Sequence, residues 1–264
     1  MQATKTFNFV SGMPRSGSTL LCNILNQNPR FWATPTSGLC PLILRVNHVW
    51  TEIPELKASS NPQEKLGLMR GMIHGFHTTD RPVVFSKSRG WVAALELVRN
   101  ALGTEPKMLV TIRDIPSILS SCEKLFRKEL KSPESPAKWG QNMETIEGRL
   151  AFWTAGDQLV GGQYNRIRDC VTRGNKRNLH FVDFDDLCAD PKPTIEKVYA
   201  FLGEEPFAHN FDNVEQTTHE NDFEHGFTSL HEIRQQVKPF KKDYLQILGE
   251  AANPYLNFNY NFAQ

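Results

Sequence analysis

The chain has no surplus of charge of either sign: 30 Lys and Arg stand against 29 Asp and Glu over 264 residues, a net charge of +1. With neither a basic excess nor an acidic tract, its overall electrostatics points to neither nucleic acid nor an anionic membrane, so any anion site has to be local. Paired cysteines are absent too. Cys22, Cys40, Cys122, Cys170 and Cys188 are odd in number, widely spaced and free of CxxC pairs, which argues against a disulfide framework or structural zinc and predicts reduced, buried thiols. No run of 18 apolar residues occurs, and the opening MQATKTFNFV passes into an apolar strand without a signal-peptide core; the expectation is a cytoplasmic protein that does not engage a membrane. Repeats and low-complexity tails are lacking as well, and the length suits one large α/β domain over 1–264.

What is present is an alternation of strand and helix patterns. FNFVS (7–11) is β-prone and runs into a Gly-rich turn, after which STLLCNILNQN (18–28) spaces its apolar residues helically. PVVFSK (82–87) and KMLVTI (107–112) are continuous apolar runs of strand length, each followed by a helical pattern, and NLHFVDF (178–184) precedes a helix closed by Gly203. Such runs suit strands covered on both faces of a parallel sheet. The predicted fold class is therefore α/β, a three-layer arrangement with a central, mostly parallel sheet flanked by helices. NMETIEGRLAFWTAGDQLVGGQYNRIRDCV (142–171) predicts one long helix weakened by Gly161 and Gly162, KSPESPAKWG (131–140) a surface loop, and 34–60 and 205–240 variable loops.

The first turn, VSGMPRSGSTLL (10–21), carries chemistry. Gly12 and Gly17 have the GxxxxG spacing of a nucleotide-binding P-loop and Thr19 stands at its hydroxyl position, but Ser18 replaces the lysine that would reach a triphosphate. A Gly-rich turn entering a helix offers backbone N–H groups and a helix-dipole end to one phosphate, and Arg15 adds a planar fork for an oxyanion.

The segment PRSGSTLL closely resembles the 5′-phosphosulfate loop of sulfotransferases, which use 3′-phosphoadenosine 5′-phosphosulfate (PAPS). A second motif agrees: in LVTIRDIPSILSS a strand ends at Arg113 and Ser121 follows eight residues later, the spacing with which that family binds the donor's 3′-phosphate. FVDFDDLCADP looks like a further family segment, with Phe184 where a Tyr is common. The resemblance implies a P-loop-like sulfotransferase fold, PAPS as donor and 3′-phosphoadenosine 5′-phosphate (PAP) as product with no metal required. It also implies donor contacts from Pro14, Arg15, Ser16, Gly17, Ser18, Thr19, Arg113 and Ser121.

For catalysis, Arg15 would stabilise the leaving phosphate, and Lys87, in VFSKSRGW, resembles the lysine placed beside the transferring group. The family's catalytic His two residues after such a lysine is here Arg89, which is no base at neutral pH. Relatives with a Glu about twenty residues beyond the loop are matched here by Thr36 and Ser37. The segment TSLHEIRQQVKP (228–239) loosely resembles the C-terminal loop that folds over the donor in relatives, which makes His231 the first choice of base, with His48 and Glu52 next. The acceptor is expected to be a small molecule, glycan or peptide, its hydroxyl or amine receiving the sulfuryl group; Trp50, Phe211, Phe223 and Phe227 could wall its pocket or belong to the core. Oligomeric state is left open. His74 and His77 suit structural roles better than metal ligation, and Asp183, Asp185 and Asp186 suit helix capping. The rival functions are a P-loop kinase, for which Asp114 would have to serve the metal, and a silent nucleotide-binding module.

Overall fold

The computed structural model describes residues 5–59, 61–134 and 143–263. The apolar runs form β1 (Thr6–Gly12), β3 (Val83–Lys87), β4 (Lys107–Ile112) and β5 (Leu179–Asp183), joined by β2 (Phe31–Thr36) into one sheet ordered β2-β3-β1-β4-β5 in which every pairing is parallel. Successive residues point to opposite faces, and both faces are apolar. Val84, Met108 and Val110 face one layer, while Val83, Phe85 and Leu109 face the other.

The second of these layers is packed by α1 (Ser18–Leu25), α9 (Phe184–Ala189) and α10 (Pro191–Leu202). The first is covered by α2 (Leu39–Val49), α4 (Pro62–Phe76), α5 (Trp91–Leu102), α6 (Ile115–Lys131), α7 (Ile146–Thr154), α8 (Gly161–Cys170) and α11 (Tyr244–Leu248), with the short α3 (Pro54–Ser59) between α2 and α4. From β1 the chain passes to edge strand β2, returns to β3 beside β1, and then crosses to β4 and β5 on the other side of β1. The crevice at the carboxyl ends of β1, β3 and β4 is thus the switch point where such sheets bind ligands.

Three expectations are corrected. Residues 31–36, left without a strand, form edge strand β2, which contains Pro35 and a register irregularity between Ala33 and Thr36; proline is tolerated at an edge because one side of the ladder is unpaired. Most of the expected loop 34–60 is helical. The single long helix is two, α7 and α8, since Gly161 packs so tightly on the end of α7 that a Cβ there would lie 2.1 Å from the Thr154 carbonyl oxygen. Of the predicted surface loop, 135–140 lie outside the described residues.

Residues 205–240 form a strap without strand or α-helix. Its two limbs clasp each other through Val214 N–H to Gln235 O (2.7 Å) and Val237 N–H to Phe211 O (2.8 Å). Buried Asn23 of α1 staples it: Oδ1 accepts from the N–H groups of Thr217 and Thr218, and Nδ2 donates to Thr218 Oγ1. All five cysteines are free and buried. Among the described residues no helix is long and apolar enough to cross a membrane.

Candidate active site

The phosphate-type loop is fixed by two glycines. Gly12 (φ 145°) lies so close to β4 that a Cβ would meet Thr111 Oγ1 at 2.2 Å, and a Cβ on Gly17 (φ 82°) would lie 2.2 Å from the Phe184 ring. Arg15 between them is left-handed as well (φ 58°), a costly conformation for a residue with a Cβ. The Ser16 hydroxyl turns inward to Met13 O (2.6 Å) and Thr111 Oγ1 (2.7 Å); Ser16 is buried, which leaves its backbone rather than its hydroxyl for a ligand. Helix α1 begins at Ser18 with neither a capping side chain nor an acid in its first turn, so its N–H groups remain open to an anion.

This loop, Arg113, Ser121, Lys87 and His231 all line one cleft of about 980 Å³. Arg15 reaches across it, donating from Nε to Ser121 Oγ (3.1 Å) and from Nη1 to the Leu230 carbonyl (2.6 Å). Arg113 lies over the Phe184 ring at 4.7 Å, with Asp185 3.8 Å from its Nε; among the described residues that buried nitrogen has no hydrogen-bond acceptor. Phe184, where a Tyr is common, thus supports both the loop glycine and the arginine.

Lys87 is almost wholly buried at the end of β3. Its Nζ donates to Glu220 Oε1 at 2.9 Å and approaches Thr19 Oγ1 at 3.3 Å. Glu220 comes from the strap, and its Oε1 also accepts from the N–H (2.9 Å) and hydroxyl (3.1 Å) of Thr36. Burial opposes its ionisation, but Lys87 and Thr36 outweigh burial and hold the carboxyl down at about 2. The His231 Nδ1–H donates to Asp222 Oδ1 (2.6 Å), an acid that can only accept in its ionised form. Burial lowers the His231 pKa despite Asp222, so at neutral pH the ring is neutral, with the Nε2 lone pair unused by the protein among the described residues.

Several candidates fall elsewhere. His48, near the end of α2, and Glu52, in the turn after it, pair with each other (3.0 Å) at exposed positions outside the cleft. His74 packs edge-on against Phe7, and His77 is buried against Ser86 Oγ (3.1 Å). Asp183 caps α9, accepting from Asp185 and Asp186 N–H. Asp114 caps α6 by accepting from Ser117 N–H and faces Lys242 at 3.4 Å, which removes it from the metal-binding part a kinase would need. Of the four aromatics, only Phe227 lines the cleft; Phe211 packs in the core layer beneath the strap, Phe223 is exposed, and Trp50 borders a separate pocket. Trp153, Phe126 and Leu159 are the apolar walls that the sequence did not disclose. Glu220 and Asp222 were also missed: Glu220 meets Lys87 and Thr36 from more than 130 residues away, and Asp222 meets His231 across an irregular turn that no periodicity marks.

A parallel α/β sheet with an open helix N-terminus, cationic side chains and a neutral imidazole around its switch-point cleft defines a nucleotide-type group-transfer site. The sulfotransferase family model matches residues 9–209, and the chain belongs to that family. It is 23% identical over 105 residues to the 3-beta-hydroxysteroid sulfotransferase of Cavia porcellus; the match covers 40% of this chain and only about a third (34%) of that relative. In fold it resembles a sulfotransferase from Alicyclobacillus acidocaldarius (TM-score 0.51, 14% identity, 83% of this chain and 87% of that one). It also resembles a mouse sulfotransferase complexed with PAP (TM-score 0.55, 12% identity, 98% and 86%).

Proposed function

We propose that the chain transfers the sulfuryl group of PAPS to a hydroxyl or amine of a small-molecule, glycan or peptide acceptor, without a required metal. The observation that carries this reading is the convergence, in one cleft, of the lysine-free phosphate loop, the Arg113–Ser121 pair and Lys87. The loop N–H groups and Arg15 receive the 5′-phosphate, and Arg113, whose Nε pairs with Asp185 only at 3.8 Å without a hydrogen bond, and Ser121 receive the 3′-phosphate. An acceptor O–H gives its proton to His231 Nε2 as its oxygen bonds to sulfur. The bond from sulfur to the 5′-phosphate oxygen breaks, and PAP leaves with the electron pair. Lys87 and Arg15 balance the charge moving onto that oxygen and the sulfuryl group. Asp222 holds the imidazole in the accepting tautomer and steadies the imidazolium it becomes.

Calorimetry tests the reading. PAP is expected to bind far more tightly than AMP or ATP, and Arg113→Ala to erase most of that preference, because a charge-assisted contact contributes about 1.5–3 kcal/mol. Equal affinities for the three nucleotides would sink it.

A further inference from the structure

We propose that Glu220, His225 and His231 form a site for a single divalent transition-metal ion such as Zn²⁺, and that its occupancy switches the cleft off. The donor atoms of these three residues lie within 4.8 Å of one another. Glu220 Oε2 stands 3.2 Å from His225 Nε2 and 3.5 Å from His231 Nδ1. Tetrahedral zinc with bonds of about 2.0–2.2 Å to N and O holds its ligands roughly 3.3 Å apart, so two of the three edges already have the required length. Two imidazoles and a carboxylate are the ligand set of open zinc sites, in which the remaining position stays free. Here it can face the cleft that His225 and His231 line.

The ligands are set by backbone. His225 ends a 3-10 turn over Asp222–His225, Gly226 reverses the chain at φ 82°, and Asp222 Oδ2 accepts from the N–H groups of Leu230 (2.6 Å) and His231 (3.0 Å). Thr36 and Lys87 hold the other oxygen of Glu220, as the outer partners of a metal ligand do, whereas Asp222 is bonded to the ligating Nδ1 of His231 and competes with the ion for it. Lys87 opposes the ion by its charge and by sharing Glu220, which keeps the site weaker than a dedicated zinc centre.

Occupancy has a chemical consequence. Nδ1 of His231 must give its lone pair to the ion, so the ring proton moves from Nδ1 to Nε2 and the hydrogen bond to Asp222 Oδ1 is lost. The ring then has no lone pair left for an acceptor proton. This inhibitory outcome rests on the proposed role of His231, whereas metal binding itself does not.

The test is calorimetric titration of zinc chloride into the full nucleotide-free chain, with His48→Ala as the control for the exposed His48–Glu52 pair. One equivalent is expected to bind. His225→Ala and Glu220→Gln should each weaken it by at least about tenfold, the scale reached even by outer-layer partners. His48→Ala should leave it unchanged, and Lys87→Ala should tighten it. Co²⁺ should give a tetrahedral visible spectrum that His225→Ala removes. His225 is 40% exposed in its side chain, so that variant is expected to fold even if Glu220→Gln does not, and retained PAP binding verifies it separately from the donor reading. Absence of saturable zinc binding, or binding indifferent to His225→Ala, overturns the proposal.

Discussion

The donor side and the strap side of the cleft are built by different means. The loop at 12–19 and Arg113 sit at strand ends and Ser121 in the second turn of α6, where the backbone is fixed by the sheet, by the helix and by glycines that pack against Thr111 and Phe184. The strap has no regular hydrogen-bond ladder. It is held by side chains of distant elements: Asn23 from α1, Thr36 from β2, Lys87 from β3 and Glu129 from α6 through Thr228. A site can thus combine a rigid half that recognises a common ligand with a tethered half whose position depends on a few polar bonds.

The largest effect that would sharpen this contrast is expected from Lys87→Ala. The change removes one preorganised charge at the transferring group, an effect typically of ~10²-fold or more in rate, while PAP affinity should change little because the 5′- and 3′-phosphate contacts remain. Single-turnover rates set against calorimetric affinities decide it, and a near-normal rate would end the catalytic assignment. Next comes Asn23→Ala. Losing the staple strands two strap N–H groups and should cost about 1–3 kcal/mol locally, read as faster hydrogen exchange over 214–231 with the sheet strands unaffected. Equal acceleration in both regions would show that the halves unfold as one.

The smallest effect is an acid one, and it falls on both halves. Burial holds His77, behind β3, and His209, hydrogen-bonded to Tyr199 at the root of the strap, down at about 4. Both folded values lie below the ordinary 6.5, so the neutral rings contribute stability that is complete above pH 6.5 and is lost as pH falls toward 4. Between pH 7 and pH 5 the loss for His77 should be about 1–2 kcal/mol. Chemical denaturation at the two pH values checks it, and His77→Gln should flatten the profile on the sheet side.

The same contrast explains what could be read from sequence. Strands β3 and β4 announce themselves because their residues are almost all buried and the runs are nearly continuously apolar, and β1 and β5 are read from short β-prone runs that lead directly into a Gly-rich turn or a helix start. The donor loop is legible because its glycines, Arg15 and Thr19 act within eight residues of one another. Edge strand β2 has Pro35 and only one hydrogen-bonded neighbour, so its pattern is weak. The break between α7 and α8 depends on a backbone approach at Gly161 that propensity does not encode. Glu220 was out of reach for another reason: no spacing links it to Thr36, although the cluster of acids and histidines in THENDFEH marks the segment as unusual for a plain loop.

The buried cysteines have a practical consequence. Burial pushes the thiols of Cys22 and Cys188 up to about 12 and those of Cys40, Cys122 and Cys170 up to about 11. Almost none is thiolate at neutral pH, and thiolate is the reactive form. The folded chain is therefore expected to react only slowly with alkylating reagents. A cysteine introduced at Phe223, an exposed position on the strap, would react against a dark background, so its labelling rate with and without nucleotide would report the movement of that segment alone.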